Sequence, residues 1–196
     1  MSVLSTPRLA LRHWVASDLA PFAELNADPA AMAFMPRPLT ALESDEFAAR
    51  AQAGIEAHGW GLWAVQLRAG GQFLGCVGLS VPTFAAHFTP CVEAMWRLLP
   101  RYWGQGYATE AARAVCRFGF ESLLLEELLA FTVPGNTRSR AVMERLGMAH
   151  EARDDFDHPR LPAGDRLCRH VLYRLSRAAW SSQSGTSAAH PLARES

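Results

Sequence analysis

The segment from Cys91 to Val115 constrains the fold of this chain more than any other segment. Its sequence, CVEAMWRLLPRYWGQGYATEAARAV, starts as a largely apolar run typical of a strand, passes through glycines at 104 and 106, and continues as a helix. Apolar residues of that helix recur at i, i+3, i+4 and i+7 from Ala108 to Val115, which predicts one buried face. A strand joined to a helix by so short a glycine turn indicates an α/β fold.

The rest of the chain supplies further strands and helices around this unit. Apolar runs predict five other strands, and capping residues with helical periodicity predict three other helices. The sequence order is a strand, two helices, three strands, and then helix, strand, helix, strand, which favours one mixed sheet. The predicted strands lie at 8–14, 61–68, 73–81, 91–99, 128–133 and 169–175, and the predicted helices at 18–25, 40–58, 104 or 106 to 120, and 136–147.

The length of the chain limits its domain organisation. At 196 residues it is long enough for one α/β domain and too short for two of ordinary size, so we expect a single domain over residues 1–178. Residues 179–196 are rich in serine and alanine and contain few large apolar side chains. Such a segment cannot bury enough surface to offset the entropy of ordering, so a disordered tail is predicted there.

Charge and cysteine usage exclude several classes of partner. The 19 basic and 19 acidic residues balance, so no charge pattern recommends nucleic acid or an anionic membrane. No apolar run reaches membrane-spanning length and the N-terminus lacks a signal-peptide core, so the cytoplasm is the expected compartment. The four cysteines are far apart and the histidines show no ligand spacing, so no disulfide framework and no metal site is expected. Cys76 and Cys116 are predicted to be core residues.

The glycine turn has two interpretations at this point. Glycine lets the backbone approach a ligand, and the free amides at a helix N-terminus attract anions, so the turn suits a phosphate. A tight turn that needs glycine for its geometry alone explains the same residues. A Walker loop is excluded because the chain has no lysine, and a dinucleotide fingerprint because Thr109 stands where its third glycine belongs.

A family resemblance extends this interpretation. The sequence RYWGQGYATEA, residues 101–111, resembles the Q/R-x-x-G-x-G/A signature of the Gcn5-related N-acetyltransferases (GNAT), and VPGNTRSRAVMERLGM, residues 133–148, resembles a helix of the RimJ/RimL-like branch. The sequences TPRLALR and FLGCVGL also match, so the resemblance covers about residues 3–175. It implies a GNAT-type mixed, mostly antiparallel central sheet of six to seven strands with a splayed pair and flanking helices. It also implies acetyl-CoA as cosubstrate and no metal.

The resemblance assigns cofactor contacts residue by residue. The backbone of the strand end would pair with the pantetheine arm, the turn and the start of its helix would wrap the pyrophosphate, and Asn136 would bond the pantetheine or simply cap its helix. Arginines of that helix, including Arg138, are candidates for the nucleotide phosphates or are merely solvated. The predicted cofactor residues are Leu98, Leu99, Arg101, Tyr102, Trp103, Gly104, Gln105, Gly106, Tyr107, Ala108, Thr109, Asn136, Arg140 and Arg145.

Acetyl transfer to an amine also needs proton transfer and stabilisation of the developing oxyanion. Glu93 stands inside an apolar strand where many relatives carry a glutamate base, so it is the candidate general base; pairing with an arginine is the alternative. Relatives often place a tyrosine acid where alignment puts Met143, which cannot donate a proton. Ser139, one turn after Asn136, is therefore the candidate donor to the leaving thiolate, and a backbone amide near Leu98 the candidate oxyanion donor.

Acceptor recognition is expected in the variable segments 28–38, 84–90 and 154–165, where Asp154, Asp155 and Asp157 either attract a cationic amine or form a solvated turn. The branch resemblance predicts a protein N-terminal α-amino group, as in ribosomal-protein acetylation. A small-molecule amine, such as an antibiotic, amino acid or polyamine, and a non-catalytic acyl-CoA sensor are the alternatives. A homodimer is compatible with the family, and the sequence itself does not determine the oligomeric state.

Overall fold

The structure, a computed structural model, describes residues 2–186 and contains one sheet with helices on both faces. The helices are α1 (Leu19–Ala27), α2 (Ala41–His58), α3 (Tyr107–Glu121), α4 (Thr137–Arg145) and α5 (Arg177–Thr186). The strands are β1 (Ser2–Ser5), β2 (Leu9–Arg12), β3 (Leu62–Leu67), β4 (Phe73–Ser80), β5 (Glu93–Leu98), β6 (Glu127–Thr132), β7 (Ala149–His150), β8 (Phe156–Asp157) and β9 (Arg169–Ser176).

The strand order is β1-β2-β3-β4-β5-β6-β9-β7, and β8 pairs with a separate part of β9. The mixed, mostly antiparallel sheet is confirmed, because only β5 and β6 are parallel among the described strands. The predicted count of six to seven strands is too low, since nine are present in residues 2–186. The missed strands are β1, β7 and β8, two of which span only two residues, and a run that short has no alternation to recognise.

The parallel neighbours β5 and β6 form the predicted splayed pair. They are in register at a single position, Glu93 with Leu129, where the Leu129 amide donates to the Val92 carbonyl over 3.0 Å. Beyond it β5 continues to Leu98 and β6 to Thr132, and the two strands do not pair with each other at any further described position. A slot therefore opens between the carboxyl ends of these two strands.

Alternation along the strands separates two packing layers. Trp63 on β3 meets the edge of Phe118 on α3 with ring centroids 5.4 Å apart, so its face of the sheet packs on α3. The other face packs on α1 and α2, which contribute the fully buried Phe22, Leu25 and Ile55. Cys76 and Cys116 lie in this core, as predicted.

Local capping explains where two of the helices begin. Thr40 and Glu43 form the predicted capping box, with the Glu43 carboxylate accepting from the Thr40 amide at 2.8 Å, and α2 ends at Gly59 with φ +77°. Asn136 caps α4 by accepting from the Ser139 amide at 3.3 Å.

The C-terminal segment departs from its predicted disorder. The boundary predicted at residue 178 falls inside α5, so the disordered-tail prediction is wrong for residues 179–186. Trp180 is 4% exposed and stacks on Phe120 with centroids 5.7 Å apart, and this single large apolar anchor supplies the burial that the composition of the tail obscured. Residues 187–196 of the predicted tail lie outside the described residues.

Candidate active site

The glycine turn connects β5 to α3 in a conformation suited to an anion. A single 3-10 turn follows β5, and then Gly104 and Gly106 adopt φ values of +74° and +80°. Gly106 is the N-cap of α3 and has no side chain to bond the first-turn amides, which belong to Tyr107, Ala108 and Thr109. The positive end of the helix dipole therefore faces the turn without an internal carboxylate or hydroxyl cap.

The space around the two glycines of the turn is open. A Cβ placed on Gly104 would have no atom within 4 Å, and one on Gly106 would meet only the Arg8 guanidinium, at 3.4 Å. The predicted turn residues Gln105 and Arg101 brace the loop from the inside, because the Gln105 amide group donates to the Arg101 carbonyl over 3.1 Å. The turn is thus open at its glycines and is held in shape by a hydrogen bond from the Gln105 side chain to the backbone of Arg101.

A network absent from the sequence prediction ties this turn to the N-terminal hairpin. Arg8 donates to the Gln105 carbonyl over 3.0 Å and to the Glu110 carboxylate over 2.6 Å, and it lies 4.4 Å above the Tyr107 ring. Thr6 donates to the same carboxylate. Burial alone would raise the pKa of Glu110, but the hydrogen bonds from Thr6 and Arg8 lower it, so the carboxylate is charged. Because these residues are about a hundred positions apart in sequence, no local pattern revealed them.

The backbone of β5 faces the slot at Leu98 but not at Leu99. The Leu99 amide donates to the Leu74 carbonyl of β4 and its carbonyl accepts from the Tyr102 amide, both at 2.9 Å. These bonds leave Leu99 no backbone donor, which argues against its predicted pantetheine contact. Adjacent residues of a strand present their backbones to opposite neighbours, so the Leu98 amide points toward β6. The Leu98 carbonyl accepts from the Trp103 indole at 2.7 Å.

Residues of α4 line the other side of the slot. The Asn136 side chain accepts from the Ser139 amide and donates to the Thr132 hydroxyl at 2.9 Å, so its capping role is confirmed and its cofactor role remains a prediction. Ser139 is partly buried beside it. Met143 is 1% exposed within the core, which removes it from the slot altogether.

The predicted phosphate-binding arginines occupy different surroundings. Arg101 forms an ion pair with Glu24 on α1 and contacts the Tyr102 ring, with 5.3 Å to its centroid. Arg140 is directed away from the turn, because it donates to the Tyr173 hydroxyl and to the Pro134 carbonyl, both at 3.2 Å. Arg145 is exposed. Arg138 contacts the turn, with its guanidinium 4.7 Å from the centroid of the Trp103 ring.

Glu93 lies at the single pairing point of β5 and β6. Its side chain is partly buried, and none of the hydrogen bonds or ion pairs among the described residues involves its carboxylate. Burial raises the pKa of Glu93 to about 8. A carboxyl group without a cationic partner and with a pKa close to neutral is suited to exchange a proton with a substrate.

Cys91, two residues before Glu93 and just ahead of β5, is unsuited to nucleophilic chemistry. Burial raises the pKa of its thiol to about 11, and the neighbouring charge of Glu93 adds to the shift. The thiol is therefore protonated at neutral pH, and the thiolate needed for nucleophilic attack is scarce. Glu93 is thus the reactive candidate on this strand.

The three segments expected to recognise the acceptor come together on the Glu93 face. Arg166 donates to the Ala33 carbonyl over 2.9 Å, and Arg160 donates to the Thr83 carbonyl over 2.8 Å. The rings of Phe84 and His158 lie 4.7 Å apart. A cavity of about 440 Å³ lies between the 28–39 loop and α2.

Three acidic residues of the 154–165 segment are already in ion pairs. Asp154 binds Arg174 at 2.6 Å, Asp155 binds His150 at 2.7 Å, and Asp157 binds Arg169 at 3.3 Å. These ion pairs hold the segment against β7 and β9, and they neutralise the three carboxylates that were candidates for attracting a cationic amine.

The described side chains include no group of three or more histidine, cysteine, aspartate or glutamate residues arranged to hold a metal ion. None of the described helices combines the length and apolar character that a membrane crossing needs.

Comparison with known proteins agrees with the geometry. A family model of the acetyltransferase (GNAT) domain matches residues 8–149. FsC-acetyl coenzyme A-N(2)-transacetylase of Aspergillus fumigatus is 35% identical over 130 residues, covering 62% of this chain and 52% of that protein, so the chain spans about half of that relative's length. The Bacillus subtilis protein YkkB, itself uncharacterized, is 33% identical over 146 residues, covering 74% of this chain and 84% of that protein.

A solved structure extends the match to three dimensions. The crystal structure of a GNAT-family acetyltransferase from Bacillus anthracis superposes with a TM-score of 0.74 at 25% identity, covering 89% of this chain and 98% of that one. The splayed strands, the open glycine turn and the uncapped helix N-terminus are thus accompanied by a family match over most of the chain. The chain belongs to the GNAT acetyltransferase family, the N-acetyltransferases that take their acetyl group from acetyl-CoA.

Proposed function

We propose that this protein transfers the acetyl group of acetyl-CoA to the primary amine of a small molecule, with Glu93 as the general base. One observation carries the proposal. The only carboxyl group at the β5–β6 junction with no partner among the described residues has its pKa raised by burial to about 8, on the face where the acceptor segments converge. A base in this position accepts the ammonium proton so that the amine can react.

The cofactor-binding roles follow from the groups that remain open. The amides of Gly106 to Thr109 at the start of α3 bind the pyrophosphate, with Gly104 and Gly106 giving access. The Leu98 amide binds the pantetheine arm of the cofactor in the slot, and Asn136 lines the opposite wall. Arg138 and Arg145, seven residues apart and therefore on one face of α4, attract the nucleotide phosphates, whereas Arg140 is engaged by Tyr173.

The remaining steps belong to groups around the slot. Acetyl-CoA supplies a thioester carbonyl carbon that an amine nitrogen can attack. Glu93 holds the proton that leaves the amine, directly or through a water, and an amide of β5 near Leu98 donates to the oxygen on which negative charge develops. The Ser139 hydroxyl donates to the sulfur that departs with the electron pair of the broken carbon–sulfur bond.

The acceptor is proposed to be a small molecule because of the cavity beside α2. Its volume of about 440 Å³ lies within the range of small-molecule sites. The Aspergillus fumigatus relative is named for transfer to an N(2) nitrogen, which supports nitrogen as the acceptor atom. The RimJ/RimL-like motifs favour a protein N-terminus instead, and a peptide panel distinguishes the two.

A thiol-release assay tests the proposal. The protein is incubated with acetyl-CoA and two panels of acceptors, one of small primary amines and one of short peptides with free N-termini. Release of CoA with members of the first panel and not the second supports the proposal. Turnover confined to peptides assigns the enzyme to N-terminal acetylation. Calorimetric binding of CoA with no release for either panel identifies an acyl-CoA sensor and overturns the enzymatic assignment.

A further inference from the structure

The cavity between the 28–39 loop and α2 has an unusual distribution of charge. Its walls are largely apolar where Met32, Met35, Leu39 and Phe47 line it. The charged residues that line it are Arg37, Glu43, Glu46, Arg50 and Arg97. The cavity therefore combines an apolar surface with more arginines than glutamates.

Both glutamates of the cavity are already neutralised. Arg37 forms an ion pair with Glu43 by way of a direct hydrogen bond, and Arg50 lies 3.8 Å from Glu46. The raised pKa of Arg37 and the pKa of Glu43, lowered to about 2, follow from that mutual hydrogen bond. These two pairs leave one arginine of the cavity, Arg97, without a carboxylate.

Arg97 is surrounded by aromatic and thioether side chains rather than by carboxylates. Its Nη1 lies 3.2 Å from the sulfur of Met32, and its guanidinium lies 5.8 Å and 5.3 Å from the ring centroids of Phe22 and Phe47. None of the ion pairs in the described chain includes it, and its side chain is only partly exposed. Aromatic and thioether contacts replace part of its hydration but leave its charge uncompensated, and a guanidinium in such a site binds carboxylates strongly.

Arg97 and Glu93 lie on the same strand and point to the same face. They are four residues apart on β5, so their Cα atoms are separated by about 13 Å at the usual rise per residue. The nitrogen and carboxylate of an α-amino acid are much closer together than this. A carboxylate at Arg97 and an amine at Glu93 therefore call for a longer molecule, with a chain that the apolar wall can hold.

We infer that the acceptor is an amine with a carboxylate several carbons away from the reacting nitrogen, and that Arg97 is the residue that binds this carboxylate. The inference rests on the proposed acetyl transfer for its reacting end, while the carboxylate site itself depends only on the cavity. Arg97 then selects an acidic acceptor over the polyamines and uncharged amines that the same chemistry would otherwise accept.

Matched substrates test the inference. The wild-type protein, loaded with acetyl-CoA, is assayed with 6-aminohexanoate and with 6-aminohexanamide, which differ in the charge of one end. The expected kcat/KM is at least about 10-fold higher for the acid. In Arg97→Gln the preference falls to about unity because the acid slows and the amide keeps its rate.

Two further variants complete the design. Arg97→Met keeps an unbranched side chain against Phe22 and Phe47 and should give the same loss of preference with an unchanged thermal unfolding midpoint, which separates recognition from packing. Arg50→Gln removes a cavity arginine that already has a partner and should retain the preference. Equal kcat/KM for acid and amide in the wild type, or a preference that survives both Arg97 variants, overturns the inference.

Binding calorimetry separates this inference from the proposed function. If neither amine releases CoA, the carboxylate site is judged by binding alone, while the proposed function is judged by the two acceptor panels. Tighter binding of 6-aminohexanoate than of its amide to the CoA-loaded protein, lost in Arg97→Gln and retained in Arg50→Gln, supports the site. Equal binding of acid and amide overturns it.

Discussion

The two halves of the proposed site are formed by different kinds of group, backbone amides on one side and side chains on the other. The cofactor side, residues 98–109 together with Asn136, consists mainly of backbone amides fixed by glycines and by the start of α3. The acceptor side, residues 28–39 and α2 together with segments 84–90 and 154–165, consists of side chains brought together from distant parts of the chain. A site formed by backbone amides tolerates many side-chain substitutions, whereas a single substitution can change the specificity of a site formed by side chains.

This difference determines where substitutions should act. Removing a side chain on the cofactor side leaves the amides in place, so only changes that fill or reshape the turn should abolish binding. Removing one charged side chain on the acceptor side should alter rate or selectivity while cofactor binding persists.

Gly106→Trp should abolish CoA binding. The residue has φ +80° and caps α3, so a large side chain strains the backbone and fills the space before the helix amides. We expect the dissociation constant from calorimetry to rise by about 100-fold or more. Gly59→Trp is the matched control, because Gly59 has φ +77° and open surroundings at the end of α2. CoA affinity equal to wild type in Gly106→Trp would remove the turn from the site.

Glu93→Gln should lower kcat and leave CoA affinity unchanged. Loss of a general base lowers the rate by about 10²–10⁴-fold. Because burial raises the pKa of Glu93 to about 8, wild-type kcat/KM should rise with pH up to that region as the carboxyl loses its proton, and this limb should vanish in the variant. Repeating the profile with amines of different pKa identifies the limb that belongs to the enzyme. A wild-type profile in the variant excludes Glu93 as the base.

The same contrast explains what could be predicted from the sequence. The glycine turn and the buried face of α3 depend on local spacing, the splayed β5–β6 pair was implied by the family resemblance, and all three are present. Glu93 stood out because a charged residue inside an apolar strand needs a reason, and its catalytic role is still a prediction. The glycine turn, the apolar face of α3 and Glu93 can each be recognised within one contiguous stretch of sequence.

Other features depend on contacts that no local pattern encodes. The ion pair of Arg8 and Glu110 joins residues that are about a hundred positions apart in the sequence. The cavity that contains Arg97 is formed by β5, the 28–39 loop and α2. Helix α5 was missed because composition averages over a segment, whereas one residue, Trp180, supplies the buried contact. The backbone of Leu99 bonds to Leu74 and Tyr102, which argues against its predicted cofactor contact, and these partners follow from the pairing of β5 with β4 rather than from local sequence.

Glu110→Ala should weaken the cofactor side without touching a proposed cofactor contact. The carboxylate accepts from Thr6 and Arg8, and Arg8 in turn holds the Gln105 carbonyl of the turn. Losing this anchor should raise the dissociation constant for CoA by about 10-fold through disorder of the turn. Glu121→Ala, at the far end of the same helix, is the control. A lower unfolding midpoint with unchanged CoA affinity would show that the network serves stability alone.

Arg138→Ala and Arg140→Ala should separate the two arginines of α4. Arg138 lies over Trp103 beside the turn, and a single exposed charge contributes about 0.3–1 kcal/mol, so its loss should weaken CoA binding roughly two- to fivefold. Arg140 is held by Tyr173 and Pro134, so Arg140→Ala should lower the unfolding midpoint and leave CoA affinity unchanged. The Arg138 effect should shrink at high salt. The reverse assignment in calorimetry would contradict the proposed phosphate side of α4.

The smallest expected effect is a stability difference that depends on pH. Burial raises the pKa of Glu93 from 4.5 to about 8, so the folded protein holds a proton that the unfolded chain releases at lower pH. Stability due to the neutral carboxyl is therefore complete below pH 4.5 and is lost as pH rises through 8, where the fold must carry a buried charge. Glu93→Gln never carries that charge, so its unfolding midpoint relative to wild type should increase from pH 5 to pH 9. A midpoint difference that does not change with pH would mean that Glu93 is solvated and already ionised at neutral pH, and a rise in kcat/KM near pH 8 would then have to belong to another group.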